Sequence, residues 1–260
     1  MTPLRFSALR QMAKSPAHYA AHILQEPITT SAMDIGTAAD LLILGGRPVL
    51  AYPGPVRRGK EWEAFREANR EAAIVTKTEL VIADGIASAV AACPDAVRLL
   101  DGVRQNTLYW TMNGRECRGT PDVIGEGYIA DLKTGQTSDP RRFGWKVKQL
   151  AYHAAAAWYL HGCRFSDGFI GPSLMLGAAP TAAFIVAVEQ DPPHVVTVFQ
   201  FTDHALELGE RLWRTWFELL QVCEASESFP PYSQSIVDLD ILDDEDIDIG
   251  AAVELVSTTE

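Results

Sequence analysis

A glycine-bounded turn, Gly125-Glu126-Gly127, separates two short β-prone runs, and it constrains the fold more than any other feature of the sequence. If the second and third residues of this segment form a two-residue turn, the runs pair antiparallel and Asp122 lies directly opposite Asp131. Because side chains alternate along a strand, Lys133 lies on the same face as Asp131. Two facing carboxylates destabilise a hairpin unless a cation lies between them. The sequence therefore predicts a divalent-cation site with a lysine beside it.

The Asp131-Leu132-Lys133 triplet is weak evidence when it is taken alone, because acidic-x-Lys triplets are common by chance. Its alternative interpretation is an ion pair on the protein surface. Three further features favour a functional site: Pro121-Asp122 on the opposing strand, the glycine turn, and a long helix that follows the triplet. In such a site, the ammonium group of Lys133 can bind a water that attacks a phosphate, and its neutral amine form can deprotonate that water.

The chain has 260 residues and a formal net charge of −12, which excludes a basic protein that holds nucleic acid by bulk charge. Nine acidic residues and no lysine or arginine fall within residues 234–260. The rest of the chain is therefore nearly neutral. We predict one domain over residues 1–233 and an acidic C-terminal tail over residues 234–260.

No apolar run is long enough to cross a membrane, and the N-terminus has no apolar signal-peptide segment. We therefore expect a cytoplasmic protein with no membrane partner. The four cysteines lie far apart and include no CxxC pair, which argues against a zinc site or a disulfide framework.

The order of predicted elements favours an α/β fold with an N-terminal helical elaboration. Residues 1–100 are mostly helical, and residues 101–233 form the core that carries the hairpin. We predict that this core opens with a three-stranded antiparallel meander, which a single long helix from about Pro140 to Leu160 follows. The other predicted elements are helices at 16–24, 33–44 and 60–73, a helix capped by Thr78 that runs to Ala92, strands at 182–188 and 195–201, and a helix from 203 to about 223.

Pro121-Asp122 followed by Asp131-Leu132-Lys133 resembles the signature of the PD-(D/E)XK nucleases. The wider pattern resembles the branch of that superfamily that contains RecE (exonuclease VIII) and related phage-encoded exonuclease-like proteins. The segments that carry this resemblance are 15–19, 33–40, 117–122, 131–134 and 152–159, with weaker matches at 189–193 and 230–232.

This resemblance implies a PD-(D/E)XK (restriction-endonuclease-like) core, in which a central mixed sheet is flanked by helices. It also implies that Asp122, Asp131 and the Leu132 carbonyl bind Mg²⁺, for which Mn²⁺ can substitute. Lys133 would orient the attacking water and stabilise the charge of the transition state. Asp40 stands where relatives usually carry a histidine, and a carboxylate there can still bind a hard cation.

Two further departures from the relatives bear on catalysis. Gln105 stands where relatives usually carry a glutamate, and Ala155 stands where they carry a glutamine. Neither residue can replace the function of the one that is missing. An inactive protein that keeps the fold as a DNA-binding or protein-interaction module is therefore the alternative to an active nuclease.

The helix after the lysine motif carries a cluster of candidate DNA-binding residues, for which a solvated helix face is the alternative interpretation. Most of the tryptophans, Trp145 included, are expected in the core, although Trp145 lies near this cluster and could stack on an unpaired base. The cluster consists of Arg141, Arg142, Lys146, Lys148 and Gln149.

The function that this resemblance implies is a Mg²⁺-dependent phage or prophage deoxyribonuclease that resects duplex ends from 5′ to 3′ in recombination. Such enzymes often form closed rings of identical subunits around double-stranded DNA and work with a single-strand annealing protein. A nuclease of defence or replication repair is a further alternative. The acidic tail is expected to dock on a partner or to compete with DNA for a basic surface, and its alternative is a disordered extension.

Overall fold

The computed structural model describes residues 2–25, 30–166 and 179–239, and within these ranges it shows a mixed α/β fold. The N-terminal part contains β1 (Leu4–Arg5), α1 (Phe6–Leu9), a 3₁₀ turn (Arg10–Ala13), α2 (Pro16–Leu24), α3 (Ser31–Leu44), β2 (Val49–Ala51), α4 (Lys60–Ala68), β3 (Ala73–Val75), α5 (Lys77–Ala91) and α6 (Pro94–Leu99). The core contains β4 (Val103–Arg104), β5 (Leu108–Met112), β6 (Arg115–Gly119), β7 (Val123–Gly125), β8 (Tyr128–Gly135), α7 (Pro140–Leu150), α8 (Tyr152–Phe165), β9 (Ala182–Glu189), β10 (Val196–Gln200) and α9 (Asp203–Ser226).

A five-stranded mixed sheet, in the order β10-β9-β8-β7-β4, forms the centre of the fold. Strand β8 pairs parallel with β9, and the other neighbouring strands pair antiparallel. This arrangement confirms the predicted central mixed sheet. Two smaller sheets accompany it, one in the order β1-β6-β5 and one formed by β2 and β3.

The predicted register of the β7–β8 hairpin is confirmed. Ile124 pairs with Ile129, and Gly125 pairs with Tyr128. Gly127 has a φ of 78°, a left-handed conformation that favours glycine over residues with a side chain. Asp122 lies directly before β7, and its backbone amide donates to Asp131 Oδ1 on β8.

The prediction of a continuous three-stranded meander is wrong. Strands β5 and β6 pair with each other in a separate sheet, whereas β7 begins a new hairpin in the central sheet. The break lies at Thr120-Pro121, between the two strands. A proline has no amide hydrogen to donate to a strand ladder, so pairing ends there and the chain can change sheets.

The predicted single helix over 140–160 is two helices, α7 and α8. Ala151 lies between them with a φ of 54°, in the left-handed region. The two helices bury different surfaces: Phe143 of α7 stacks on Phe199 of the sheet, with ring centroids 4.8 Å apart, whereas Trp158 of α8 packs against Trp213 of α9. One straight helix could not make both contacts.

Two smaller predictions of helix ends are also wrong. Helix α4 ends at Ala68, because Ala73–Val75 pairs with β2 as a strand. Helix α5 is capped by Thr76 rather than Thr78. The Thr76 hydroxyl accepts from the Glu79 amide at 3.1 Å, while the Glu79 carboxylate accepts from the Thr76 amide at 2.8 Å.

The two faces of the central sheet carry different helix layers. Ala130 and Leu132 of β8 pack in one buried cluster with residues of α3 and α5. Ile129, on the opposite face, packs with residues of α8 and α9. The predicted alternation along β8 is therefore confirmed, and Asp131 and Lys133 belong to the face that α8 covers.

None of the helices in the described ranges is long and apolar enough to span a membrane. Of the predicted acidic tail, only residues 234–239 are described, and the rest lies outside the described residues.

We predict that His161 makes the fold sensitive to acid. The pKa of His161 is lowered to about 4, mainly by burial among aromatic rings, with Arg214 and Arg164 acting in the same direction and Glu210 opposing them. Between pH 6.5 and 4 the unfolded chain binds a proton here that the folded protein does not, so stability falls as the pH falls. His161→Gln should therefore show a smaller loss of Tm than the wild type over this range.

The control for this prediction is His204→Gln, which changes an exposed histidine of α9. Parallel Tm-against-pH curves for the wild type and His161→Gln would show that His161 does not contribute to the acid sensitivity.

Candidate functional site

The β7–β8 hairpin brings together the three side chains of the motif. The Lys133 Nζ lies 3.0 Å from Asp131 Oδ2 and 3.9 Å from Asp122 Oδ2. Two backbone amides fix the carboxylates: the Asp122 amide donates to Asp131 Oδ1 at 3.3 Å, and the Leu132 amide donates to Asp122 Oδ2 at 2.8 Å. The two aspartates are thereby held by main-chain groups as well as by the ammonium group.

The ammonium group of Lys133 lies among the oxygens that the resemblance assigns to a metal ion. It donates to the Leu132 carbonyl at 3.2 Å, in addition to its contacts with the two carboxylates. A single positive group thus occupies the place where two carboxylates and a carbonyl converge. This donor set attracts a cation, as the facing aspartates predict.

The charges of the site shift one another's pKa values. Burial raises the pKa of Asp122 to about 8, Asp131 adds to the rise, and Lys133 opposes it. Burial alone would lower the pKa of Lys133, but Asp131 and Asp122 outweigh it and raise that pKa above its ordinary value. Burial and the charge of Asp131 therefore disfavour the ionised form of Asp122 more than one lysine favours it.

Asp40, on α3, lines an open cleft of about 700 Å³ together with Leu132 and Lys133. Burial raises the pKa of Asp40 to about 6, with Lys133 lowering it and Asp131 raising it. Among the residues that the structure describes, no group of three or more Asp, Glu, His or Cys side chains is positioned to hold a metal ion. Asp40 is thus a residue of the same cleft, and its predicted part in metal binding stays a prediction.

Contacts between α3 and the end of β8 place Asp40 in the cleft. A Cβ atom at Gly36 would lie 3.0 Å from the Thr134 hydroxyl, so a glycine allows the helix to approach the strand closely. The Gln190 amide group donates to the Ala32 carbonyl at 3.0 Å and to the Thr134 hydroxyl at 3.3 Å. Gln190 therefore ties the helix to the strand, a role that the sequence analysis did not assign to it.

Of the five candidate DNA-binding residues, Lys146 is the one that lines the cleft. The other four, Arg141, Arg142, Lys148 and Gln149, are exposed. The backbone amides of Arg141 and Arg142 donate to the Asp139 side chain, which caps α7. The structure thus places the cluster on the exposed face of α7, with Lys146 at its edge toward the site.

Two tyrosines of α8 that the sequence analysis did not single out lie beside the motif. The Lys133 Nζ is 5.7 Å from the centre of the Tyr152 ring. Burial raises the pKa of the Tyr159 hydroxyl above its ordinary value, and the charge of Asp131 adds to the rise. Their spacing of seven residues puts both on one face of a helix, which is the signal that could have identified them.

The two departures from the relatives occupy different environments. Gln105 is exposed, and its backbone amide donates to the Asp122 carbonyl at 2.9 Å. Ala155 is buried on α8 within the core beside β8. Gln105 therefore supports the position of Asp122 through its main chain, whereas Ala155 contributes packing and no polar group.

The prediction that Trp145 is a core residue is wrong. Its side chain is 76% exposed, whereas Trp110, Trp158 and Trp213 are buried and Trp216 is partly buried against the same core. Trp145 lies on the same exposed face of α7 as the basic residues.

Comparisons with known proteins agree with this architecture. A crystal structure named "Putative exonuclease", from Eubacterium rectale, superposes with a TM-score of 0.62 and 13% sequence identity, covering 94% of this chain and 92% of that one. The structure of SSO0001 covers 80% of this chain and 84% of its own at 10% identity, but its TM-score of 0.27 carries no argument. None of the curated proteins matches the sequence.

The family model for the PDDEXK-like domain of unknown function DUF3799 matches residues 5–238, which is most of the chain. The chain therefore belongs to this family of PDDEXK-like domains.

Proposed function

We propose that the protein is a divalent-metal-dependent deoxyribonuclease. The observation that carries this proposal is the set of oxygens around Lys133, in which Asp122, Asp131 and the Leu132 carbonyl surround one cation. Hydrolysis of a phosphodiester needs positive charge beside the phosphate and a held water. The carboxylate and carbonyl oxygens can bind a metal ion that supplies the positive charge, and Lys133 can hold the water.

The residues of the hairpin fit Mg²⁺ or Mn²⁺. Their donors are carboxylate and carbonyl oxygens, which hard divalent cations prefer. The raised pKa of Asp122 indicates that burial and the neighbouring Asp131 disfavour its ionised form, a cost that a bound cation would offset. A bound cation would polarise the phosphoryl oxygen and lower the pKa of a water.

The side chains of this protein would orient the water, balance the developing charge and contact the DNA strand. Lys133, held by two carboxylates, presents an ammonium group that can orient a water and balance the charge that develops on the phosphate. The aromatic ring of Tyr152 lies against that ammonium group. Lys146, at the edge of the cleft, can contact a neighbouring phosphate of the strand.

The finer form of the proposal is a 5′-to-3′ exonuclease that resects duplex DNA ends in recombination. The resemblance to the RecE branch supports this form, and so does the fold shared with the protein named "Putative exonuclease". A ring of identical subunits around the duplex would keep DNA bound without a strongly basic surface. The proposal includes a single-strand annealing protein as the partner that takes up the exposed strand.

The second candidate function is an inactive module that keeps the fold and binds DNA or a protein. The absence of a polar group at Ala155 favours it. The nuclease is the better proposal because Asp122, Asp131 and Lys133 are held together. A protein that did not use this site would gain no stability from two facing carboxylates.

We expect end-labelled linear duplex DNA to be degraded with Mg²⁺ or Mn²⁺ and to persist in EDTA. A closed circular duplex of the same sequence is the control, and an exonuclease should leave it intact. Release of label from the 5′-labelled strand before the 3′-labelled strand would support the proposed polarity. Intact linear DNA at every metal concentration would favour the inactive module.

Lys133→Ala should lower the cleavage rate by roughly a hundredfold or more, because it removes a charge aimed at the reacting phosphate. Metal binding should remain, since the carboxylates and the carbonyl lose a competing ammonium group. Calorimetric titration with Mn²⁺ would measure this. Lys77→Ala, at an exposed position on α5, is the matched control. Cleavage at the wild-type rate would remove Lys133 from the mechanism.

Asp40→Asn should raise the Mg²⁺ concentration needed for half-maximal cleavage, because it removes a carboxylate from the cleft. Asp40→His should retain activity with a preference shifted toward Mn²⁺, since imidazole suits softer cations. Asp84→Asn, at an exposed position on α5, is the control. An unchanged metal dependence in both Asp40 variants would show that Asp40 takes no part in metal binding.

A further inference from the structure

The proposed function does not explain why the side chain of Trp145 is exposed to solvent. Its side chain is 76% exposed, although an indole ring is among the largest apolar groups in proteins. The other five tryptophans all have aromatic partners: Trp62 contacts Tyr52, Trp110 contacts Trp158, Trp158 contacts Trp213, and Trp216 contacts Phe6. An exposed ring of this size indicates a binding surface when its surroundings match a partner.

The surroundings of Trp145 are cationic. Successive residues of a helix are about 100° apart, and Phe143 marks the buried side of α7 with an exposure of 2%. On the rest of the helix circumference, away from Phe143, the side chains follow one another in the order Lys148, Arg141, Trp145, Gln149, Arg142 and Lys146. Helix α7 contains no acidic residue, in a chain whose net charge is −12. Trp145 is therefore flanked on both sides by positive side chains.

This cationic face is continuous with the candidate active site. Lys146, at one edge of the face, lines the same cleft as Lys133. The Lys146 ammonium group lies over Gly135 at the end of β8, in the space that a Cβ atom at this position would take. A strand whose phosphate lay in the cleft could therefore continue from Lys146 onto the face that presents Trp145.

We propose that Trp145 stacks on an unpaired base of the DNA strand that enters the cleft, so that the substrate is a DNA end with at least one unpaired nucleotide. This inference rests on the proposed nuclease function and specifies its substrate. Bases inside a duplex have both faces covered by their neighbours, whereas an unpaired base at the end of a strand can turn one face to an indole ring. The arginines and lysines beside Trp145 would hold the adjoining phosphates.

A protein partner fits this surface less well. Protein-binding surfaces usually have a contiguous apolar patch, with charged residues depleted at its centre. Here a single ring is enclosed by four cations and one amide, which is the pattern of single-strand binding surfaces. Charge complementarity therefore favours a polyanion with aromatic faces.

The test compares binding of two labelled strands by fluorescence anisotropy in EDTA, where a metal-dependent nuclease does not cut. One strand is an oligothymidylate, and the other has the same length and backbone but abasic residues in place of the bases. We expect the wild type to bind the oligothymidylate roughly tenfold more tightly, from one stacked base. Trp145→Leu should lose this preference, and Trp145→Phe should retain most of it.

The matched control is Tyr232→Ala, which removes another aromatic side chain that is 76% exposed. It should bind both strands as the wild type does. Moving a single abasic residue along the oligothymidylate should then weaken wild-type binding at one or two positions, and should have no effect on Trp145→Leu.

Two results would overturn the inference. Equal wild-type affinity for the two strands would show that no base is stacked. An equal loss for both strands in Trp145→Leu would show that Trp145 acts through the shape of α7 or on another kind of partner. Cleavage of linear duplex DNA with base-independent binding would reject the role of Trp145 alone, whereas base-dependent binding without cleavage would reject the nuclease alone.

Discussion

The contact between the Lys133 ammonium group and the facing carboxylates of Asp122 and Asp131 is the interaction on which the site depends. Two carboxylates on adjacent strands repel each other, and burial makes that repulsion stronger. The hairpin can hold them because Lys133 and two backbone amides compensate the charge. Removing one member leaves a partly buried charge without its partner, which costs stability. The same arrangement that makes the hairpin depend on a cation makes it a suitable place to bind one.

Helices complete the site by approaching β8 from two directions. Helix α3 comes close because Gly36 leaves room for Thr134, and Gln190 bonds to both elements. On the other side, the left-handed backbone at Ala151 ends α7 and starts α8, so that Tyr152 lies beside Lys133. The cleft therefore depends on irregular points of the chain more than on the regular interior of its helices. A continuous helix would not leave α7 free to present its basic face beside the cleft.

The parts of the fold that the sequence predicted are those with local causes. The hairpin register follows from the turn at Gly127 and from side-chain alternation, and its continuation by one residue beyond the Val123–Ala130 pair brings Asp122 beside Asp131. The parts that were missed depend on distant contacts. The exposure of Trp145 and the break at Ala151 follow from what α7 and α8 pack against, and the sequence pattern of a single amphipathic helix contains no information about those neighbours.

The charge distribution explains why contact, rather than long-range attraction, would govern the encounter with DNA. Charges on a protein surface are screened beyond about 8 Å at physiological ionic strength, so the charges of the cationic helix act on a group beside it more strongly than the distant charges that make up the net charge of −12. The positive face of α7 attracts a phosphate only when the strand is already close. Under the proposed function, the phosphate contacts of this face would be weak by themselves. The end of a strand would add base stacking and metal contacts to the same few phosphate contacts, so an end would be held more tightly than the middle of a duplex.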